Sequence, residues 1–430
     1  MSITPLFDVV LSHARLWPET IPRDIGLRHG RIAGLAPAGS LTATQSHDLG
    51  GRVVVPGFVD THVHLDKACL ICRCLDAGGG LKGAIAAVSQ LKRAFTVDDV
   101  YQRGARVLEM AIAKGTMHMR THVEVDPRAG LRSFEAIRQL KRDYAFALDL
   151  SICVFPQEGL TNDPGTEALL DQALSEGADL LGGCPYTDSD PSAQMERLFA
   201  MARAHDVDLD FHLDFDLNPQ GSHLEEICRR TIQEGYGGRV AIGHVTKLVA
   251  MDPAGFEESA ALLRDAGVAV TALPSTDLYL NGRDQGFQAV RGVAPVHLLA
   301  GRGIAASIAT NNVLNPFTPF GDASLLRMAN LYANIMHLGP ADFPMCMDLV
   351  TTRPARLMKL PDYGLNIGAW ADLVVLDATD PIEAFGGLAE PLAGFKRGIK
   401  TFERTAARLI RPSPLAATMP ASASHPSAAR

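Results

Sequence analysis

Two histidines two residues apart, His62 and His64, follow the apolar run that begins at Val53. Side chains at i and i+2 of a strand point the same way, so both imidazoles would project from one face. Three more histidines close later apolar runs. His122 lies in Arg120-Thr121-His122-Val123-Glu124, His212 follows Asp208-Leu209-Asp210-Phe211, and His244 follows Val240-Ala241-Ile242-Gly243. A lone buried histidine is commonly a hydrogen-bonded core residue. A pair at i,i+2 joined by others at the ends of later strands is instead the donor set of a divalent metal ion.

Donors scattered from position 62 to position 244 need a scaffold that returns each strand end to one place. Between about Val53 and Pro361, short apolar runs alternate with amphipathic stretches. The candidate strands are Val53-Val54-Val55 and the runs at 116–120, 149–154, 208–212, 240–244, 269–273 and 305–309; 100–113 and 191–204 have helical periodicity. Repeated strand–helix–strand order predicts a parallel sheet with helical crossovers, and a (β/α)₈ TIM-type barrel is its most economical form. Barrel sites form at the C-terminal strand ends, where these histidines fall. Both chain ends are β-rich instead. Ile25-Gly26-Leu27-Arg28, His29-Gly30 and Arg31-Ile32-Ala33-Gly34-Leu35 form a hairpin signature, and alternation returns in residues 371–377 and 398–402. The expected organisation is an α/β chain: a small β-sandwich domain from residues 1–55 and 362–411, a catalytic barrel over 56–361, and a disordered Pro/Ala/Ser-rich tail over 412–430.

The 430 residues carry 40 Lys+Arg against 48 Asp+Glu, a formal charge of -8, and only 6% are aromatic. That balance argues against a nucleic-acid partner, which needs a basic patch or stacking surface. The seven cysteines are an odd number scattered through apolar segments, which reads as reduced thiols. The first residues show no basic-then-apolar leader pattern, and no apolar run approaches the roughly 20 residues of a membrane span. A cytoplasmic protein without a membrane partner is expected, with association of copies of the chain left open.

Pro56-Gly57-Phe58-Val59-Asp60-Thr61-His62-Val63-His64-Leu65-Asp66 resembles the first-strand metal motif of the amidohydrolase superfamily, and the nearer match is to cytosine deaminase and its relatives. Arg120-Thr121-His122-Val123, Phe155-Pro156-Gln157-Glu158-Gly159, His212-Leu213-Asp214 and Gly243-His244-Val245-Thr246 resemble later motifs of that group, as do Asn281-Gly282-Arg283 and Asn311-Asn312-Val313 with Pro319-Phe320-Gly321. The resemblance implies one divalent metal ion, zinc or iron, held by His62, His64 and His212, with Asn311 at the eighth-strand ligand position. It also implies His244 as the partner of the attacking water and Gln157 as a hydrogen-bonding group for the ring edge of a small heterocyclic substrate.

Two positions depart from the family pattern. Asn311 stands where the family has an aspartate, and Phe215 stands where it has a proton-carrying glutamate. Asp214, two residues beyond His212, would face the same way if the strand continued, and is the first choice for the missing acid. Asp277, in Pro274-Ser275-Thr276-Asp277, ends another candidate strand and is grouped with Gln157 and His122 as a substrate contact. Lys67 could meet an anionic substrate group. The expected activity is hydrolytic deamination of an amino-substituted nitrogen heterocycle. Loss of a substituted amine, opening of a related cyclic amide, or a non-catalytic binding protein are the alternatives.

Overall fold

The computed structural model describes residues 6–74, 79–283, 285–288 and 292–410. The expected disordered tail, 412–430, lies outside them. Both chain ends build one eight-stranded sheet system. It contains β1 (Phe7–Leu16), β2 (Arg23–Arg28), β3 (Arg31–Pro37), β4 (Ala43–Asp48) and β5 (Val53–Pro56), which are joined late in the chain by three more strands. Eight parallel strands follow in sequence: β6 (Phe58–Val63), β7 (Thr116–Glu124), β8 (Asp149–Phe155), β9 (Leu180–Gly183), β10 (Asp208–Leu213), β11 (Val240–His244), β12 (Val268–Ala272) and β13 (Ala306–Ile308). The chain then returns to the first sheet as β14 (Leu373–Leu376), β15 (Pro391–Lys396) and β16 (Ile399–Glu403). The (β/α)₈ barrel and the small sandwich are therefore both present.

Strand β1 bridges the two layers of the sandwich. Its first half pairs in parallel with β4 and its last residues pair with β5, with an irregularity between Leu11 and Ala14 where His13 adopts a φ of 52°. Leu11, Ile25 and Leu27 thereby pack against Val54, Leu373, Val375 and Phe395 in a core separate from that of the barrel. Val53-Val54-Val55, read from sequence as a strand leading into the barrel, belongs here: β5 pairs with β1 and β14. The first barrel strand is β6, the run that carries His62.

The barrel strands pair in sequence order from β6 to β13, and Asn311 closes the ring. Its N–H donates to the His62 carbonyl and its carbonyl accepts from His64, both at 2.8 Å. Strand β9 escaped the sequence reading because Leu180-Leu181-Gly182-Gly183 is half glycine, which strands ordinarily disfavour. Packing demands those glycines: a Cβ at Gly183 would stand 2.4 Å from the Phe211 ring, and one at Gly182 would stand 2.8 Å from the Asp210 carbonyl. The crossover helices carry their own stop signals. In Pro253–Ala266, Asp252 caps the Gly255 N–H, proline opens the first turn, and Gly267 ends the helix at a φ of 67°.

Sandwich and barrel are latched at the N-terminal strand ends. Asp372 accepts from Lys396 at 2.7 Å and from the Arg397 N–H at 2.7 Å, and lies 3.0 Å from His118 Nε2; Lys396 also reaches Asp149 at 2.8 Å. Against the cost of burial, the His118 and Lys396 contacts hold the Asp372 carboxyl down to about 2. A depressed folded pKa stabilises above the unfolded value near 4, and the gain is lost as pH falls toward 2, an effect of about 2 kcal/mol. Asp372→Asn should therefore lower the thermal midpoint at pH 7 and flatten its decline between about pH 4 and 2. Thermal unfolding of both proteins across that range checks this, and parallel curves would count against the latch.

Candidate active site

His62 and His64 leave the C-terminal end of β6 and meet His212 from the end of β10. His62 Nε2 and His64 Nε2 lie 3.0 and 3.1 Å from His212 Nε2. Burial first, and then the neighbouring imidazoles, joined by Lys67 for His64 and His212, hold all three histidines well below their ordinary pKa, so they are neutral. The Nδ1 of His64 lies 3.2 Å from the His122 carbonyl, and donation to that oxygen leaves its Nε2 lone pair bare. Three neutral Nε2 atoms this close suit a shared cation better than one another. The Oδ1 and Nδ2 atoms of Asn311, buried beside them, have no hydrogen-bond partner among the described residues. The donor set fits one divalent ion with three nitrogen ligands. Asn311 holds a φ of 61°, a left-handed conformation that asparagine tolerates better than most residues.

His244, at the end of β11, stands beside this cluster with its ring centroid 5.7 Å from that of His212. Its Nδ1 lies 2.7 Å from the Asp277 carboxylate, which also accepts from the Leu273 N–H at 3.2 Å. Asp277 is fully buried, and burial pushes its carboxyl up against the pull of His244. The Phe215 ring meets His244 edge-on at 4.2 Å. On the opposite wall, the Lys67 ammonium donates to Glu124 at 2.7 Å and to Gln157 Oε1 at 3.0 Å, over the face of Phe317 at 4.2 Å. Gln157 Nε2 has only the weak acceptor Cys184 Sγ, at 3.5 Å.

These side chains line a narrow, nearly filled chamber with His64, His212, His244, Tyr186, Thr276, Asn311 and Asn312 in its walls. It opens through Leu81, Phe215 and Leu280 into a bowl of about 900 Å³.

Three expectations need correction. Asp214 does not face the histidines: β10 ends at Leu213 and Asp214 turns to a φ of 51°, so the alternation stops. Its carboxylate instead takes the Ser222 hydroxyl at 2.5 Å and the His223 N–H at 3.0 Å, tying down the next loop. Asp277 lies behind His244, with its carboxylate on Nδ1, and is not among the residues that line the chamber. His122 is not among the residues that line the chamber; it stacks on His62 with centroids 3.7 Å apart and with Nε2 3.4 Å from Asp210. Gln157 does line the chamber. The sequence reading passed over Glu124 and Lys92, which are joined to the site through ion pairs that no local pattern announces.

A family model described as the amidohydrolase family matches residues 45–144 and 99–385. A pterin deaminase from Rhizobium rhizogenes is 31% identical over 362 residues, covering 83% of this chain and 82% of that protein. An N-isopropylammelide isopropyl amidohydrolase from Pseudomonas sp. is 27% identical over 403 residues, covering 91% and 96%. Among solved structures, a 5-methylcytosine deaminase from Klebsiella pneumoniae liganded with 5-fluorocytosine superposes with a TM-score of 0.88 at 29% identity, covering 94% of this chain and 99% of that one.

Proposed function

The chain belongs to the amidohydrolase family, and from that premise we propose a metal-dependent hydrolase that deaminates an amino-substituted nitrogen heterocycle. The observation that carries this is the chamber itself. Three neutral imidazoles converge at its base, a histidine–aspartate pair stands on one wall, and two hydrogen-bond donors stand on the other. When bound, a divalent cation supplies Lewis acidity, making an attacking water acidic near neutral pH. His62, His64 and His212 hold that ion, with the Asn311 carbonyl oxygen as the neutral replacement for a carboxylate. Zinc and iron both suit such a set.

His244 takes a proton from the attacking water and returns it to the leaving nitrogen, so that water adds at the amino-bearing carbon and ammonia departs. Asp277 fixes the ring of His244 and stabilises its protonated form. Phe215 offers no proton to the ring and closes the wall beside His244. The opposite wall reads the substrate edge. With Gln157 Oε1 accepting from Lys67, Gln157 turns its amide N–H to the chamber, and Lys67 presents its remaining N–H. A pair of donors selects an edge with two acceptors, such as a ring carbonyl next to an unprotonated ring nitrogen.

Gln157→Ala should therefore lower kcat/KM on the true substrate by about 5- to 150-fold, the equivalent of about 1–3 kcal/mol for a lost buried partner. Rings carrying N–H at that edge should be poor substrates for the wild type and lose little in the variant. Steady-state kinetics on matched pairs of rings tests this, and an equal loss on both kinds would remove Gln157 from the edge.

Among the described residues, no helix is long and apolar enough to cross a membrane. With an odd number of scattered cysteines, seven, we place the enzyme in the cytoplasm. The deciding experiment is elemental analysis of the purified protein joined to an ammonia-release screen of aminopyrimidines, aminopurines, pterins and triazines. Stoichiometric zinc or iron with ammonia release supports the proposal. Absence of both would favour a binding protein that kept the barrel, and release of an alkylamine alone would favour the substituted-amine reaction.

A further inference from the structure

Lys92 is a lysine with no contact to the chamber, yet it is only 1% exposed and surrounded by carboxylates. It opens a short 3-10 turn, Lys92–Ala94, directly after α1 (Gly80–Leu91). Its ammonium reaches Glu124 at 2.8 Å, Glu158 at 2.6 Å, and Asp126. Burying an ammonium is costly unless it is paired, and here it is paired three times. Two of those partners lead directly to the chamber wall. The Glu124 oxygen not used by Lys92 accepts from Lys67, and Glu158 is the neighbour of Gln157 in sequence.

We infer that Lys92 is the positioning residue for the substrate-reading wall: one buried cation sets Glu124, and through it Lys67, while its hold on Glu158 sets the backbone that carries Gln157. The inference rests on the reading of Lys67 and Gln157 as the donor pair for the ring edge. The geometry favours this over a merely structural ion cluster. Lys92 grips the far side of the same carboxylate that aims Lys67, and the two arms of the donor pair meet at a Lys67–Gln157 bond of 3.0 Å. Loss of this hold leaves the metal ligands untouched and loosens only the wall opposite His244. Small misplacements of a binding group are costly, because the bound ring must meet the reacting atoms within a narrow range of geometries.

The test compares wild-type holoenzyme with Lys92→Met and Lys92→Arg, using crystal structures, bound metal, and kcat and KM on the best substrate of the heterocycle panel. In K92M the Lys67 ammonium should leave its place between Glu124 and Gln157, with metal content unchanged and KM raised about tenfold or more, while kcat changes less. K92R should restore most of the KM. A folded K92M with Lys67 and Gln157 in their original positions, or with unaltered KM, would overturn the inference. If K92M does not fold, the triple variant K92M/D126N/E158Q removes the unbalanced carboxylates with the cation and is judged by the same measurements. If wild-type holoenzyme releases ammonia from nothing on the panel, the functional reading fails, and the crystal comparison alone decides for or against Lys92.

Discussion

His62→Ala is expected to give a folded barrel that has lost its metal ion and, with it, turnover. The backbone of β6 is held independently of the imidazole: His62 keeps its carbonyl bond to Asn311, and the strand pairs with β7 on either side of it, at Phe58, Val59, Asp60 and Val63. The ring, by contrast, supplies one of the three converging Nε2 atoms. Loss of an outer partner of a ligand costs about 10–100-fold in affinity, so loss of a ligand should cost more. Asn311→Asp should act in the other direction. A carboxylate at a position whose amide atoms have no partner among the described residues adds negative charge beside the cation and should tighten binding. Elemental analysis after dialysis against a chelator ranks the three proteins as Asn311→Asp, wild type, His62→Ala. Metal retained by His62→Ala would take His62 out of the ligand set; among the described residues, the groups that could hold an ion without it are His118 with Asp149 and Asp372, and Glu124 with Asp126 and Glu158.

The barrel was legible because its strands repeat at regular spacing with amphipathic stretches between them, and the sandwich because both chain ends alternate. The metal-capable trio was legible for a related reason: side chains at i and i+2 of one strand share a face, and strand ends of a barrel share a rim. Each misreading came where that local rule stopped. Asp214 sits one residue past the end of β10, where a left-handed φ replaces the alternation, and only the structure shows where the strand ends. His122 follows the same rule but stacks on His62 and faces Asp210 instead of lining the chamber. Asp277 falls in the short helix Pro274–Leu280 and not at a strand end, which puts its carboxylate behind His244. The Lys67–Glu124–Lys92 chain joins residues dozens of positions apart through buried charge, and in sequence Lys92 looks like any lysine at the end of an amphipathic helix.

His244→Ala and Asp277→Asn should each lose turnover on the order of 10²–10⁴-fold with bound metal unchanged, the scale of general acid–base assistance. With Phe215 and Asn311 in place of acidic groups, His244 is the chamber residue suited to carry a proton both to and from the reacting atoms, and a single base that works in both directions must be held in one orientation. Asp277 does that through a 2.7 Å contact to Nδ1, and its charge favours the protonated ring that forms midway. Asparagine keeps the shape but brings no charge, so the Asp277→Asn loss should fall almost wholly in kcat and leave KM close to wild type. Asp214→Asn sets the contrast. Its carboxylate caps the loop through Ser222 and His223, so that variant should lose thermal stability and keep kcat. The same kinetic and melting measurements on all three variants separate the roles. If Asp214→Asn loses turnover while Asp277→Asn keeps it, the proton carrier lies on the loop after β10, and the pairing of His244 with Asp277 is structural.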